Sequence, residues 1–224
     1  MSKQSRGDKG ELIVTETLNK INVKHHLLND VMFQVGKNEM THQIDHILIH
    51  PHGVFVIETK NYYGKIISDT GDSFWLKVIK DEEIKISNPL KQNKSHAVVV
   101  YRLLKGKYEV VPVVVFVKNN APYMGDENVI NLKDLLLFID SYPFKKKLSD
   151  KSIDEIKDIL LKNISNVSKD EHVETIGYLK QMKEEFRRDM AFAIENNKCP
   201  WCGSLIIKRG YDFKCSKCKF AFKL

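Results

Sequence analysis

The chain has 224 residues and a net charge of +7, with 36 Lys and Arg against 29 Asp and Glu. That length holds one good core and a small appendage. The longest apolar run, 110–117, contains Pro112 and is far too short to cross a bilayer, which excludes a helical membrane protein. The N-terminus is polar and has no signal-peptide core, so a cytoplasmic location is expected.

Taken in chain order, the pattern predicts a first helix capped at Asp8 and running to about Ile21, with Ile13, Leu18 and Ile21 inward. Two β-branched runs follow, Gln43–Ile49 and Val54–Lys60, with Pro51-His52-Gly53 as the turn between them. Strand side chains alternate, so Glu58 and Lys60 share a face. A two- or four-residue loop places Asp45 opposite Glu58, with Cβ atoms about 5 Å apart. A three-residue loop turns Asp45 to the other face. On the favourable register one face holds Asp45, Ile47, Ile49, Val54, Val56, Glu58 and Lys60, and the other Ile44, Leu48, Phe55 and Ile57. Both faces are largely apolar, so the hairpin belongs in the centre of a covered sheet. Two acids and a lysine buried there need each other or a metal. Two carboxylates at that spacing can hold a hard cation such as Mg²⁺, with the lysine beside a bound water and a phosphate. The plainer alternative is an ion pair between Glu58 and Lys60 that only supports the sheet.

Further on, Lys65–Ser68 and Phe74–Ile79 flank Asp69–Ser73 in a hairpin pattern. Leu90–Leu104 reads as a helix ending near Gly106, 111–117 as a buried strand, and Leu132–Tyr142 as a helix. Residues 149–197 read as a helical linker or packing segment. Ile153, Ile156, Leu160 and Ile164 mark one helix, and Val173, Ile176, Leu179, Met182, Phe186, Met190 and Ile194 a longer one. The longer stripe suits packing on the parent domain, a homodimer or higher oligomer, or a spacer.

Four ordered motifs make residues 7–140 resemble the nuclease-related domain family, a branch of the PD-(D/E)xK nucleases. They are Gly7-Asp8-Lys9-Gly10-Glu11, Gln43-Ile44-Asp45-His46, Ile57-Glu58-Thr59-Lys60-Asn61 and Asn88-Pro89-Leu90-Lys91-Gln92. The resemblance implies an α/β fold over residues 1–148, with a restriction-endonuclease-like mixed sheet flanked by helices. It also implies hydrolysis of DNA phosphodiester bonds, with Asp45, Glu58 and the Thr59 carbonyl holding Mg²⁺ or Mn²⁺. Lys60 would position the water or the phosphate, and Glu11 would complete the acidic cluster. Gln92 would orient Lys60, the water or the nucleic acid, with Lys91 and Lys94 beside it. The family pattern usually has Val where this chain has Thr59.

All four cysteines fall in residues 198–224, as Cys199-x-x-Cys202 and Cys215-x-x-Cys218. Paired knuckles at this spacing predict a closed structural Zn²⁺ site. This tail supplies +6 of the net charge. It resembles the zinc ribbons at the C-terminus of bacterial type I topoisomerases, which implies DNA binding. Lys208, Arg209, Lys214, Lys217 and Lys219 would track phosphate and Trp201 would stack on bases. At least two of Trp201, Tyr211, Phe213, Phe220 and Phe222 are expected in the ribbon core instead.

The reading is therefore a metal-dependent deoxyribonuclease acting on single- or double-stranded DNA, in defence against foreign DNA or in repair, with a helicase or defence-system partner possible by family analogy. The alternatives are a non-catalytic nucleic-acid-binding adaptor that recruits such a partner, and a nuclease for RNA.

Overall fold

The computed structural model describes residues 5–35, 40–68, 73–123, 128–144 and 146–223. The chain divides into two compact units, Met1–Val167 and Ser168–Leu224.

The first unit opens with helix α1, Arg6–Leu18. Its cap is Ser5 rather than Asp8. Ser5 and Asp8 exchange side chain-to-backbone hydrogen bonds, so Asp8 occupies the third helical position of a capping box. Three strands follow: β1 (His26–Val35), β2 (Met40–His50) and β3 (Gly53–Lys60). A small antiparallel sheet comes next, built from β4 (Lys65–Ile67), β5 (Phe74–Ile79) and β6 (Glu82–Ser87). The expected β4–β5 hairpin is present, although Asp69, Thr70, Gly71 and Asp72 of its turn lie outside the described residues. The unit continues with α2 (Pro89–Leu103), β7 (Val110–Phe116), β8 (Val129–Asn131), α3 (Leu135–Ser141) and α4 (Asp150–Leu161).

The main sheet has the order β1-β2-β3-β7-β8. β1, β2 and β3 are antiparallel neighbours, while β3, β7 and β8 run parallel, so the sheet is mixed. Both faces of β3 are covered, and seven of its eight residues are buried. Ile47, Ile49, Val54 and Val56 join Ala97 and Val100 of α2 and Ile153, Ile156 and Leu160 of α4 in one core layer. Leu48, Phe55 and Ile57 join Val14 and Leu18 of α1 and Leu135 and Ile139 of α3 in the other. This is the helix-flanked mixed sheet of a nuclease-like fold. Ile44 departs from simple alternation, because it lies with Ile47 and Ile49 rather than with Leu48. Asp30, facing position 45 from β1, has φ +52°, and no ladder pair forms there. The twist at that point carries Ile44 to the opposite layer.

Gly53 closes the β2–β3 turn at φ +128°, and a Cβ there would fall within 2.0 Å of the Phe144 ring. A side chain is thus barred both by conformation and by space. The turn has only Pro51 and His52 between the paired His50 and Gly53.

In the second unit α5 (Lys169–Asn196) leads into β9 (Ile206–Arg209), β10 (Asp212–Cys215) and β11 (Ala221–Lys223), ordered β11-β10-β9. The segment 149–197 therefore divides. α4 packs on the main sheet, and α5 belongs with the ribbon. α5 buries only Ala193, while Val173, Tyr178 and Met182 are exposed.

Candidate functional site

The site forms where β3 ends. β2 and β3 stay paired from His50 with Gly53 to His46 with Ile57. The ladder ends at that pair, and Asp45 and Glu58 are the next residue on each strand. There the Asp45 carboxylate accepts the Thr59 N–H at 2.7 Å. Glu58 is 3% exposed, and its Oε1 accepts from Lys60 Nζ at 2.5 Å. Its Oε2 has no hydrogen-bond partner and lies 3.6 Å from His96 Nδ1 of α2.

Burial and the charge of Glu58 push the Asp45 carboxyl up to about 8, with the Thr59 N–H and Lys60 pulling it down and Glu11 adding to the rise. Burial also opposes the Lys60 ammonium, but Glu58, Tyr62 and Asp45 outweigh it and hold the lysine above its ordinary value. Glu11, Asp45, Glu58 and Lys60 therefore act on one another as a group. A buried carboxylate oxygen without a partner, beside a second acid that resists ionisation, suits a hard divalent cation, which takes carboxylate oxygens and waters.

Two close contacts bring α1 to this point. Asn61 Nδ2 donates to the Arg6 carbonyl at 2.9 Å, and a Cβ on Gly10 would sit 2.8 Å from Asn61 Cβ. Glycine at position 10 lets the helix press against the end of β3, and Glu11 follows it. From the other layer α2 begins with Asn88 capping Leu90 and Lys91, then Asn93 clamps it to the sheet. Asn93 Nδ2 donates to the carbonyls of both Val56 and Val113 at 2.9 Å. Asn93 is thus fully buried against the sheet and takes no part in the exposed face around Gln92. Gln92, Lys91 and Lys94 are exposed on α2.

His96 is the side chain the sequence pattern concealed. It sits among the apolar positions of α2, yet it falls one helical turn after Gln92, and i, i+4 spacing could have placed it toward the site. His46 turns away from Glu58. Burial lowers its pKa to about 4, so it is neutral. Its Nδ1–H donates to Asn29 Oδ1 at 2.8 Å, and its Nε2 accepts from the Thr59 hydroxyl at 3.1 Å, a tautomer assigned from these partners. Thr59 is thus fixed on one side by its hydroxyl and on the other by its N–H.

The second unit gathers four thiols. Cys199 and Cys218 Sγ are 3.5 Å apart, as are those of Cys202 and Cys215, and all four lie within 4.8 Å of one another. Tetrahedral zinc with Zn–S near 2.3 Å calls for sulfurs about 3.8 Å apart, so the set fits that ion. Phe213, Phe220 and Phe222 are buried beneath the cluster with Ile206 and Ala193, whereas Trp201 and Tyr211 are exposed. Trp201 Nε1 donates to Asp189 of α5 at 2.7 Å, and its ring meets the edge of Phe220. Lys208 lies over the Phe213 ring, and Lys208, Arg209, Lys214, Lys217 and Lys219 are exposed on the ribbon.

The family model for the nuclease-related domain matches residues 6–117, half of the chain. An uncharacterised protein of Bacillus anthracis is 29% identical over 180 residues, which cover 78% of this chain and 84% of that relative. No solved structure matches.

Proposed function

The chain belongs to the nuclease-related domain family, and on that premise we propose that it is a Mg²⁺- or Mn²⁺-dependent nuclease that hydrolyses DNA. The observation that carries the reading is Glu58 Oε2, a buried carboxylate oxygen with no hydrogen-bond partner beside Asp45 and Lys60. A pure binding module gains nothing from burying two acids and a lysine, and their desolvation would count against its stability.

In this reading Asp45, Glu58 and the Thr59 carbonyl hold the divalent ion, and Glu11 completes the acidic group. When bound, that ion supplies a water of lowered pKa and neutralises phosphate charge. Lys60 stays protonated and presents its ammonium to the phosphate undergoing attack, where negative charge develops. Glu58 holds Lys60 in place through Oε1, so one carboxylate both ligates and orients. His96 positions Glu58 from α2, and Gln92, Lys91 and Lys94 contact the nucleic acid on the same helix. The ribbon, closed by Zn²⁺ on Cys199, Cys202, Cys215 and Cys218, adds affinity through Trp201, Lys208, Arg209, Lys214, Lys217 and Lys219. A cytoplasmic role in defence or repair fits this chemistry.

Cleavage of plasmid and of single-stranded DNA, with and without Mg²⁺ or Mn²⁺, tests the reading. Asp45→Ala is expected to abolish cutting while DNA affinity stays within a few-fold of wild type. Metal-independent cutting, or full activity in the variant, would overturn it. Competition with RNA of the same sequence decides the substrate.

A further inference from the structure

We propose that Tyr62 and Tyr63, with Arg6, Lys77 and Lys118, form a docking platform for a single-stranded segment of nucleic acid leading away from the scissile phosphate; this rests on the nuclease reading of the adjoining site. These residues are built onto the end of β3 by its own backbone bonds. Val117 N–H donates to the Lys60 carbonyl at 3.0 Å, which anchors the segment carrying Lys118 to the end of β3. Asn61 holds the Arg6 carbonyl. Asn120 Nδ2 donates to the carbonyls of Tyr62 and Gly64 at 3.1 and 2.7 Å, fixing the loop that carries both tyrosines. Gly64, at φ +90°, lies so close to the Val78 carbonyl that a Cβ would come within 2.2 Å of it. The loop is thus tied to its neighbours by its own backbone.

Cations converge on it. The Arg6 guanidinium lies 5.1 Å and Lys118 Nζ 4.8 Å from the Tyr63 ring centre, and Lys77 Nζ lies 5.3 Å from that of Tyr62. Among the described residues none of the three cations is in an ion pair. Such cations are held by the ring quadrupole and have no carboxylate to neutralise them. Tyr63 is half exposed. Beyond it opens a groove of about 530 Å³ whose lining includes Lys65, Ile67, Asn120 and Tyr123. Tyr123 is 94% exposed. Exposed rings serve a strand whose bases are unpaired, and interleaved cations serve its phosphates. A duplex, with its bases already stacked, offers the rings little.

The test is equilibrium binding of a fluorescent single-stranded oligonucleotide and of its duplex to the zinc-loaded full chain, without added Mg²⁺ or Mn²⁺. Tyr63→Ala is expected to weaken single-strand binding about 5- to 150-fold, the usual range for one stacked base, while Tyr63→Phe retains it. Arg6→Ala with Lys118→Ala should reduce the salt slope by about 1.4, as for two single-strand phosphates. The duplex should lose less than the single strand. Wild-type affinity and slope in the Arg6/Lys118 variant, or an equal loss for duplex, would overturn the platform. That double variant decides the matter even if Tyr63→Ala does not fold. Cleavage is not needed for this readout. A protein that never cuts yet shows these losses refutes the nuclease reading and keeps the platform, whereas one that cuts and shows none does the reverse.

Discussion

Thr59 shows how closely one residue serves both faces of β3. Its N–H holds Asp45 and its hydroxyl holds His46, while its proposed metal contact is the carbonyl. Thr59→Val keeps both backbone groups and the branched shape. It should cost about 1–3 kcal/mol in urea denaturation, because the buried His46 Nε2 loses its partner, and leave cleavage unchanged. Loss of cleavage would assign the hydroxyl a role in the reaction. His50 sets a pH dependence of stability. It is 1% exposed, and burial, with His52 and Lys147 nearby, lowers its pKa to about 4. The unfolded chain therefore takes up its proton first as pH falls, so the His50 contribution to stability is full above about 6.5 and declines between there and about 4, while Asp45, raised to about 8, works in the opposite direction. Wild-type urea midpoints should fall relative to those of His50→Gln through that window. Asp45, Glu58 and Lys60 were legible in the sequence because a period of two and a two-residue turn fix their register. His96 was not, since its position on α2 reads as one more core residue. Ile44 was misplaced because no pattern reports the positive φ of Asp30 on the neighbouring strand.

At the scale of elements, the site depends on how closely α1 and α2 approach the sheet. Gly10→Ala would drive a Cβ into Asn61, so α1 must shift, at a cost of about 1–3 kcal/mol for an overpacked contact. Thermal unfolding should show that loss, and cleavage should fall further than stability alone explains, because Glu11 moves with the helix. Wild-type activity in Gly10→Ala would show that α1 has no part in the site. The buried strands β2, β3 and β7 were legible as β-branched runs. β1 was not, since Asn29, Asp30 and Gln34 break its alternation, and β6, Glu-Glu-Ile-Lys-Ile-Ser, reads as a charged surface. Helix α4 was legible from Ile153, Ile156 and Leu160, which pack on the main sheet, whereas Ile164 lies past its end and is exposed. The stripe of α5 has the same periodicity, yet most of it is exposed, because periodicity reports an apolar face and not what covers it.

For the whole molecule, the two units predict separable behaviour. The ribbon's few buried aromatics make too small a core to hold it unaided, so it is expected to need an ion on its four cysteines to fold. Stripping zinc with a chelator should unfold residues 198–224, weaken DNA binding and leave the thermal transition of Met1–Val167 in place. A chain ending at Val167 should likewise fold and cut, with a higher KM for DNA. A global loss of structure on zinc removal would contradict two independent units. The cysteine spacing made the gathered thiols legible, since two Cys-x-x-Cys pairs predict a four-cysteine cluster without reference to the fold. The assignment of α5 to the ribbon was not legible, because it rests on Ala193 and Met190 meeting Phe220 and its neighbours across a distance in sequence. The central claim is that the end of β3 is a metal-dependent hydrolytic centre. Its most direct measurement is the nicking of supercoiled plasmid in Mg²⁺ or Mn²⁺ by wild type and by Lys60→Ala, each confirmed folded and zinc-loaded. Wild type is expected to cut with either ion and not without one, and the variant to lose at least about 100-fold, as when one transition-state charge contact is removed. Equal cutting by both proteins, or DNA binding with no cutting by wild type in either ion, would contradict it.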